Sequence, residues 1–377
     1  MQVDYLVIGA GISGAAAAYE LALAGSVLMI EAETAPGYHS TGRSAALYTR
    51  NYGGPIVRLI SQASYDFFLH PPAGFAERPL LTPRGSLTIA APGEEARLEA
   101  ILAVSMPGHE IDLLSASDAH RLAPLMRADR VGAAAYEPGV MDIDVAALHH
   151  GYLRGFKQRG GRLLCGKRID KLEHRDGDWH ATSVDYAFSA RVIVNAAGAW
   201  AGQIGALAGA AEIGLMAKRR TAIIVEPPAG LDVGAMPAVD FVGSDAYFKP
   251  DAGRIMASPG DQTPIEPQDV QPDELDIAVL VDWLEHETTL SIRRIASSWA
   301  GLRSFVADDV PVVGFDDKVP DFFWLAGQGG YGIMMAPTLG RAAAGLISTG
   351  TFPSDLRTSG IVTSALAPSR LYGGPTA

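Results

Sequence analysis

The first thirty residues alternate between short apolar runs and turns rich in glycine. Residues 5–8 form an apolar run that favours a buried parallel strand, and residues 27–30 form a second one. Between them, residues 15–24 are rich in alanine and favour a helix, which Gly25 can end. The pattern therefore predicts a strand, a helix and a second strand at the start of the chain.

Three glycines lie where the first strand gives way to the helix. Gly9, Gly11 and Gly14 form G-x-G-x-x-G. The first permits a tight turn, the second lets the backbone approach a pyrophosphate, and the third lets the helix pack close to the sheet. Glu31 follows about twenty residues after Gly11, where a carboxylate can accept hydrogen bonds from the hydroxyls of an adenosine ribose. This context favours a site for FAD or NAD over NADP, and over a purely structural glycine turn.

Patterns farther along the chain predict more strands and helices. Residues 144–158 are amphipathic with helical spacing, whereas residues 162–172 and 179–188 alternate apolar and polar side chains around the turn HRDGD. We therefore expect a long helix followed by a hairpin. Further strands are predicted at residues 80–90, 191–195 and 322–326, and further helices at residues 94–103, 115–125, 272–288 and 333–348.

Residues 213–300 differ in pattern from the chain around them. The segments KRRTAIIVE and YFKPDAGRIMASP favour antiparallel strands, and Asp273 and Glu274 suit the first turn of a helix. Residues 301–315 are expected to return to the first lobe. The prediction is an α/β fold in two parts. A discontinuous Rossmann-like dinucleotide-binding domain takes residues 1–85, 145–212 and 301–377, and an α+β substrate domain with an antiparallel sheet takes residues 86–144 and 213–300.

Composition and charge narrow the classes of protein and partner. Over 377 residues, 48% hydrophobic and 19% charged residues indicate a globular chain, and a net charge of −12 argues against binding to nucleic acid. The single cysteine, Cys165, excludes internal disulfides and a multi-cysteine metal site, and no metal is predicted. The sequence contains no run of about 18 apolar residues, so we predict no transmembrane segment. The first strand follows Met1 too closely for a signal peptide. We expect a cytoplasmic protein, with a peripheral position at the inner face of the membrane as the alternative.

Three further segments rich in small residues are candidates for contact with a cofactor. Residues 35–49, APGYHSTGRSAALYT, are expected to lead into a helix containing Arg43 and to bind an anion; the alternative is an ordinary surface loop. Residues 195–200, NAAGAW, have side chains small enough for a cofactor to touch the backbone, or form a plain tight turn. Residues 327–332, GQGGYG, repeat the glycine spacing without a later acid. The helix after them is expected to face the pyrimidine end of an isoalloxazine ring.

Six segments, in chain order, resemble those of one enzyme family: GYHSTGRSAA, NAAGAW, KRR, YFKPDAG, WAGLRSFVAD and QGGYGI. With the glycine motif they make the chain similar, nearly end to end, to the FAD-dependent D-amino-acid oxidase superfamily, and most of all to bacterial D-arginine dehydrogenases. The resemblance implies a flavin lobe roofed by a substrate lobe. The FAD is expected to be non-covalent, because Cys165 falls in the predicted hairpin region. The FAD contacts expected from the motif and the resemblance are Gly9, Gly11, Ile12, Ser13, Gly14, Glu31, Ala32, Ser40, Thr41, Gly42, Arg43, Ser44, Ala45, Ala46, Ile169, Ala197, Gly198, Trp200, Arg303, Gly329, Gly330, Tyr331, Gly332 and Ile333.

The resemblance also implies a substrate site. Arg220 and Arg303 would bind a carboxylate, the hydroxyls of Tyr52 and Tyr247 would assist, and the carbonyl of Gly330 would contact the amine. A planar guanidinium can hold a carboxylate bidentately and so point the substrate Cα–H at flavin N5. Hydride transfer then gives an imino acid, which hydrolyses to a 2-oxo acid and ammonia, and no protein base is needed if the amine is neutral. The implied enzyme is a D-amino-acid dehydrogenase with an acceptor such as a quinone; an oxidase is the alternative.

Two positions depart from the pattern of D-arginine dehydrogenases. Leu47 stands where the relative has a histidine, and Ser86 stands where the relative has a glutamate for the substrate guanidinium. We therefore expect a neutral or hydrophobic D-amino acid. The same scaffold also oxidises 2-hydroxy acids and secondary amines such as sarcosine or proline, so these stay open. A non-redox flavoprotein is the alternative from another class, and the arginine pair argues against it.

Overall fold

Strands and helices alternate along the computed structural model, which describes residues 1–106 and 108–372; within these ranges there are nineteen β-strands and nine α-helices. The strands are β1 (Gln2–Ile8), β2 (Val27–Ile30), β3 (Leu47–Tyr48), β4 (Leu81–Pro83), β5 (Ser86–Ala90), β6 (Asp112–Ser115), β7 (Ala133–Glu137), β8 (Met141–Ile143), β9 (Arg162–Leu164), β10 (Lys171–Arg175), β11 (Asp178–Ser183), β12 (Tyr186–Asn195), β13 (Met216–Val225), β14 (Ala238–Phe241), β15 (Tyr247–Asp251), β16 (Arg254–Ser258), β17 (Ser297–Phe305), β18 (Val312–Phe315) and β19 (Phe322–Ala326). The helices are α1 (Ile12–Leu21), α2 (Pro55–Leu69), α3 (Glu99–Leu102), α4 (Ala116–Leu122), α5 (Val145–Gln158), α6 (Ala201–Ala208), α7 (Glu274–Glu287), α8 (Gly332–Thr349) and α9 (Ser354–Thr358).

The first sheet is built from the apolar runs that open the chain. Strands β19, β12, β1, β2 and β9 lie side by side in this order and run parallel, with β18 antiparallel to β19. The β10–β11 hairpin extends the sheet from the first half of β12. β2 and β19 are buried along their whole length, as expected for parallel strands covered on both faces. The predicted runs at residues 27–30 and 322–326 are therefore confirmed.

Helices α1, α5 and α8 form one layer on this sheet. The small side chains of α1 let α8 come so close that a Cβ on Gly340 would lie 2.9 Å from the backbone of Ala16. On α1, Tyr19 packs edge to face against Phe75 and Tyr152, with ring centroids 6.0 and 5.4 Å apart. Tight packing of this layer fixes the N-terminal end of α1 at the carboxyl end of β1.

The second sheet has, among the described residues, eight strands in the order β17, β13, β16, β15, β14, β5, β7 and β6. All neighbouring pairs are antiparallel except β14 with β5. Side chains alternate between its faces. Leu87 and Ile89 of β5 join a hydrophobic core that includes residues of α7, whereas Ser86 and Thr88 point to the opposite face and line a cavity. One face of the sheet is therefore covered by helices and the other faces the first sheet.

The fold corrects three expectations from the sequence. Residues 32–43 form bends and turns, so Arg43 lies in a loop and not in a helix. Residues 301–305 do not return to the first sheet, because they form the second half of β17 and pair with β13. The hairpin starts only at Lys171, while residues 162–164 form the separate edge strand β9. The boundaries of the two domains stay a prediction.

The remaining strands form a small connecting sheet, in which β8 lies between β3 and β4. Helix α2 lies between β3 and β4 in the chain and packs against α8. Across residues 1–106 and 108–372, no helix combines the length and the apolar character that crossing a membrane requires.

Candidate active site

A cavity of about 1130 Å³ lies between the two large sheets. One side is lined by the turns after the carboxyl ends of β1, β2, β12 and β19, where ligands bind in parallel sheets. The other side is the open face of the second sheet. Gly14, Gly42 and Tyr331 lie outside the wall. The other expected site residues line it: Gly9, Gly11, Ile12, Ser13, Glu31, Ala32, Ser40, Thr41, Arg43, Ser44, Ala45, Ala46, Leu47, Tyr52, Ser86, Ile169, Ala197, Gly198, Trp200, Arg220, Tyr247, Arg303, Gly329, Gly330, Gly332 and Ile333.

The glycine turn has the geometry that its spacing predicts. Gly9 has φ +103°, and a Cβ there would lie 2.4 Å from the carbonyl oxygen of Ala196, the residue after β12. A Cβ on Gly14 would lie 1.9 Å from the carbonyl oxygen of Gly9, so helix and strand are in direct contact. Gly11 differs, because the nearest atom to an added Cβ is the hydroxyl of Thr41, at 3.3 Å. Gly9 and Gly14 are therefore required for the close packing of the turn, whereas Gly11 faces the cavity.

Glu31 is held in place at the end of β2. One carboxylate oxygen accepts from the backbone N–H of Ala10 at 2.8 Å, and the other accepts from the backbone N–H of Glu33 at 3.0 Å. Each carboxylate oxygen has a second lone pair. Glu31 can therefore accept hydrogen bonds from ribose hydroxyls without leaving the position that the backbone gives it.

Cys165 lies beside Glu31 and not in the hairpin where the sequence placed it, because it follows β9 at the edge of the first sheet. Burial raises the pKa of the Cys165 thiol, and the Glu31 carboxylate acts in the same direction. The residue is not part of the cavity wall. Non-covalent flavin stays a prediction, now argued from this geometry.

The loop at residues 32–46 is tied to the second sheet. The hydroxyl of Ser40 donates to the carbonyl oxygen of Leu302 at 2.5 Å. The guanidinium of Arg43 donates to the carbonyl oxygen of Ala300 at 2.9 Å and to the carboxylate of Asp269 at 2.5 Å. The hydroxyl of Thr41 accepts from the backbone N–H of Ile12, in the first turn of α1, at 3.0 Å. The loop therefore joins the glycine turn to β17, and Arg43 acts as its anchor.

The turn after β19 forms another part of the same side of the cavity. Gly329 has φ +53° and lies so close to β17 that an added Cβ would be 2.5 Å from the ring of Phe305. A Cβ on Gly330 would be 2.9 Å from Nη1 of Arg303. The side chain of Arg303 is therefore laid against the backbone at Gly330, at the N-terminal end of α8.

Arg220 and Arg303 share one face of the second sheet. In the β13–β17 register Arg220 pairs with Gly301 and Lys218 pairs with Arg303, which makes the two arginines diagonal neighbours. Burial lowers the pKa of Arg220, and the charge of Arg303 lowers it further. Nε of Arg220 is buried without a partner, and neither guanidinium is in an ion pair with any residue that the structure describes.

Two tyrosines flank this pair. Tyr247 on β15 and Tyr52 in the loop before α2 lie close enough that each tends to raise the pKa of Arg220. The Tyr52 ring packs on that of Tyr331, with centroids 5.1 Å apart. Burial raises the pKa of Tyr331 to about 12, so its hydroxyl stays protonated. The structure thus brings Tyr52, Tyr247 and both arginines together, with Tyr331 behind Tyr52 and outside the wall.

Two carboxylates at the cavity were missed by the sequence reasoning. Glu137 lies directly across from Ser86 in the β5–β7 register, and its carboxylate accepts from the hydroxyl of Thr49 at 2.8 Å. Asp240 lies on β14, across from Thr88, and burial raises its pKa to about 6. Burial also raises the pKa of Glu137. The sequence offered one signal for Asp240, because an acid within the otherwise apolar segment AVDF is unusual in a buried strand.

These residues fit a flavin dinucleotide. The open Gly11, the first turn of α1 and the hydroxyl of Thr41 suit a pyrophosphate, and Glu31 suits a ribose. The turn at Gly329 and Gly330 leaves backbone exposed beside the second sheet. Fold and site together define a two-lobed flavin-dependent oxidoreductase.

The comparison with known families agrees with this class. The model of the family DAO, FAD dependent oxidoreductase, matches residues 4–346. The chain belongs to this family, and FAD is its cofactor. The superfamily expected from the six sequence segments is therefore confirmed, whereas a special closeness to D-arginine dehydrogenases stays a prediction.

Individual relatives act on several amines. The mitochondrial dimethylglycine dehydrogenase of Rattus norvegicus is 27% identical over 214 residues, which cover 55% of this chain and 25% of that protein. The chain thus spans about a quarter of the dimethylglycine dehydrogenases that it matches. The fold is shared with glycine oxidase from Geobacillus kaustophilus (TM-score 0.79, 22% identity, 94% of this chain and 98% of that one). It is also shared with L-proline dehydrogenase from P. horikoshii (TM-score 0.80, 22% identity, 100% and 99%).

Proposed function

We propose that the protein is an FAD-dependent dehydrogenase that oxidises the amine of a 2-amino acid, with D-amino acids as its substrates. The observation that carries the proposal is the pair Arg220 and Arg303, two guanidiniums at the cavity that form no ion pair with a carboxylate of the described residues. Burying unpaired charge is costly unless a ligand supplies the partner. A substrate carboxylate is such a partner, and it lowers the free energy of the bound state.

The site would position the substrate from its carboxylate end. Two guanidiniums on one sheet face can hold both oxygens of a carboxylate, and the hydroxyls of Tyr52 and Tyr247 lie beside them. The backbone at Gly330 lies against Arg303, so its carbonyl is the acceptor proposed for the amine. A substrate held at both its carboxylate and its amine can present its Cα–H in one orientation only. Such positioning raises the rate of hydride transfer.

The proposed reaction needs no acid or base from the protein when the substrate amine is neutral. When bound, FAD accepts a hydride from the substrate Cα. The lone pair of the neutral amine forms the C=N bond as the hydride leaves, and the imino acid hydrolyses to a 2-oxo acid and ammonia. The same burial that lowers the pKa of Arg220 keeps water away from its guanidinium, and this strengthens its attraction for a substrate carboxylate. The arginines therefore act by orientation and charge.

Oxidation of an N-alkylated amino acid is a second candidate. The relatives in the comparison include a dimethylglycine dehydrogenase and an L-proline dehydrogenase. Such substrates carry the same carboxylate, so the arginine pair serves them equally. What separates the candidates is the space around the amine. A quinone or another acceptor is proposed to reoxidise the flavin, with oxygen as the alternative.

The test is anaerobic bleaching of the flavin absorption by a substrate panel. The panel contains D-leucine, L-leucine, D-leucinamide, sarcosine, L-proline and D-2-hydroxyisocaproate. We expect D-leucine to bleach the flavin faster than L-leucine, and D-leucinamide to fail because it lacks the carboxylate. Bleaching by sarcosine or L-proline alone would favour the second candidate. An amide as effective as the acid, or no bleaching by any amino acid, would reject the carboxylate site.

A further inference from the structure

A long irregular segment forms part of the cavity wall. Residues 259–273 connect β16 to α7, with an isolated bridge between Pro264 and Lys218. Connections of this length are uncommon in compact domains and usually have a function of their own. We call residues 262–270 the strap. The residues of the strap that line the cavity are Gln262, Pro267, Gln268 and Asp269.

The strap is joined to both large sheets. Near its start it pairs with β13 of the second sheet, where the backbone N–H of Ile265 donates to the carbonyl oxygen of Ala217 at 3.0 Å. At its end Val270 is 3% exposed and belongs to a small hydrophobic cluster with Ala199, which follows β12 of the first sheet. The strap therefore spans the gap between the sheets that encloses the cavity.

Asp269 connects the strap to the loop at residues 32–46, which follows β2 of the first sheet. The guanidinium of Arg43 donates to one oxygen of the Asp269 carboxylate at 2.5 Å and to the carbonyl oxygen of Val270 at 3.1 Å. The hydroxyl of Tyr38 donates to the other carboxylate oxygen at 3.2 Å. Cζ of Arg43 also lies 5.1 Å from the centre of the Tyr38 ring. Three side chains thus hold two segments together.

This junction lies where the cavity meets solvent. Tyr38 is 46% exposed and the Asp269 side chain is 50% exposed, yet both residues also line the cavity. Next to Tyr38, Nε2 of His39 lies 2.9 Å from the carboxylate of Glu33, two residues after the acid Glu31 that suits the ribose. The junction is therefore at the nucleotide end of the cavity.

We propose that the strap and the loop at residues 32–46 form a latch over the nucleotide end of the FAD site, and that the latch must open before FAD can enter or leave. Asp269 is the group that holds it shut. The inference rests on FAD as the cofactor and not on the identity of the substrate. It assigns the strap to exchange of the cofactor, separate from the arginine pair.

The contacts of the latch are suited to opening and closing. The hydrogen bond from Arg43 lowers the pKa of Asp269, so this carboxylate is ionised at neutral pH. Because the Asp269 side chain is half exposed, water can replace its partners when the latch opens. The pairing of Ile265 with Ala217 lies away from this junction and can stay intact. The latch can therefore open locally, without unfolding of either sheet.

A latch made only of protein groups has a kinetic signature. Its opening precedes both capture and release of FAD, so the free energy of opening enters both rate constants equally. Weakening the latch therefore raises the two rate constants by the same factor and leaves the dissociation constant unchanged. A residue that stabilises bound FAD by direct contact would instead slow release alone.

The test measures both rate constants in Asp269→Ala, which removes the partner of Arg43 and Tyr38. Release is followed by exchange of the holoenzyme FAD with an excess of radiolabelled FAD, and capture by the change in flavin fluorescence when FAD is mixed with apoprotein. We expect both rate constants to rise by roughly threefold to thirtyfold, with a change of less than about threefold in the dissociation constant. Tyr38→Phe removes one hydroxyl from an exposed side chain and should raise both by a smaller factor.

The matched control is Glu226→Ala. Glu226 follows β13, pairs with Arg254 at 2.9 Å and lies outside the cavity wall, so its loss should change neither rate constant. Faster release with unchanged capture in Asp269→Ala would make Asp269 a direct contact of FAD and overturn the latch. Unchanged rate constants, or an equal rise in the control, would also overturn it. If Asp269→Ala does not fold, unchanged rate constants in Tyr38→Phe decide against the latch.

Discussion

Arg219 and Arg220 are neighbours on β13, yet they face opposite surroundings. Arg219 is within 2.6 Å of Asp276, 3.3 Å of Asp261 and 3.5 Å of Asp273. Arg220 points to the other face of the sheet, into the cavity, with its Nε unpartnered. Alternation along one strand thus places an ion-paired arginine on one face of the sheet and an arginine outside any ion pair on the face toward the cavity.

This contrast predicts opposite effects on stability. Arg219→Ala leaves three acids without their cation and should lower the free energy of unfolding by about 2 kcal/mol or more. Arg220→Ala removes a desolvated charge next to Arg303 and should leave the melting temperature unchanged or raise it. Thermal unfolding of the substrate-free holoenzyme measures both. A larger drop for Arg220→Ala would mean that its charge is balanced within the protein.

Arg303→Ala should weaken recognition of every substrate carboxylate while FAD stays bound. Charge-assisted hydrogen bonds contribute about 1.5 to 3 kcal/mol each, so kcat/KM should fall by roughly tenfold to more than a hundredfold. The matched control is Arg294→Ala, an exposed arginine next to the start of β17. Flavin content is read from the visible spectrum. An unchanged kcat/KM would remove Arg303 from the substrate site.

Substitutions in the glycine turn should separate folding from cofactor binding. Gly14→Ala puts a Cβ 1.9 Å from a backbone oxygen that cannot move aside, so we expect poor folding with or without FAD. Gly11→Ala meets a flexible side-chain hydroxyl at 3.3 Å, so this variant should fold but bind FAD more weakly. The measurements are soluble yield, apoprotein melting temperature and FAD affinity. Equal flavin content in wild type and Gly11→Ala would contradict the assigned role of Gly11.

Asp240 should make stability depend on pH in a defined direction. Its pKa rises from 3.8 to about 6 on folding, so the folded protein holds a proton between these values that the unfolded chain has released. Stability from this group is therefore greatest at low pH and is lost as pH rises through about 6, at a cost of roughly 3 kcal/mol. Without substrate, Asp240→Asn should melt higher than wild type at pH 8 and equally near pH 4. A lower melting temperature at pH 8 would show that the ionised carboxylate has a partner.

Activity should rise with pH until the substrate amine is neutral. A hydride does not leave readily from a carbon that carries an ammonium group, because the nitrogen lone pair is needed to form the C=N bond. The kcat/KM profile for D-leucine should therefore increase from mildly acidic to alkaline pH. A profile that falls steadily over this range would contradict transfer from the neutral amine.

The parts of the fold that could be predicted are those that local sequence determines. β2 and β19 follow from runs that are apolar at every position, and the glycine turn follows from sterics that act over a few residues. The loop at Arg43 could not be predicted, because its shape depends on hydrogen bonds to Ala300 and Leu302, far along the chain. Asp240 was missed for a related reason. Only the strand register shows that it faces the cavity and that Glu137 lies across from Ser86.

The hydrogen bond from Ser40 to Leu302 has a thermodynamic consequence. Ser40 belongs to the loop whose Thr41 holds the first turn of α1, and Leu302 is the residue before Arg303. One stretch of backbone is therefore common to both ligand sites. If the first ligand to bind orders this backbone, the second ligand no longer bears that entropy cost. FAD and substrate should therefore each raise the affinity of the protein for the other by the same factor. A substrate should therefore bind more weakly to the protein without FAD than to the protein with FAD bound.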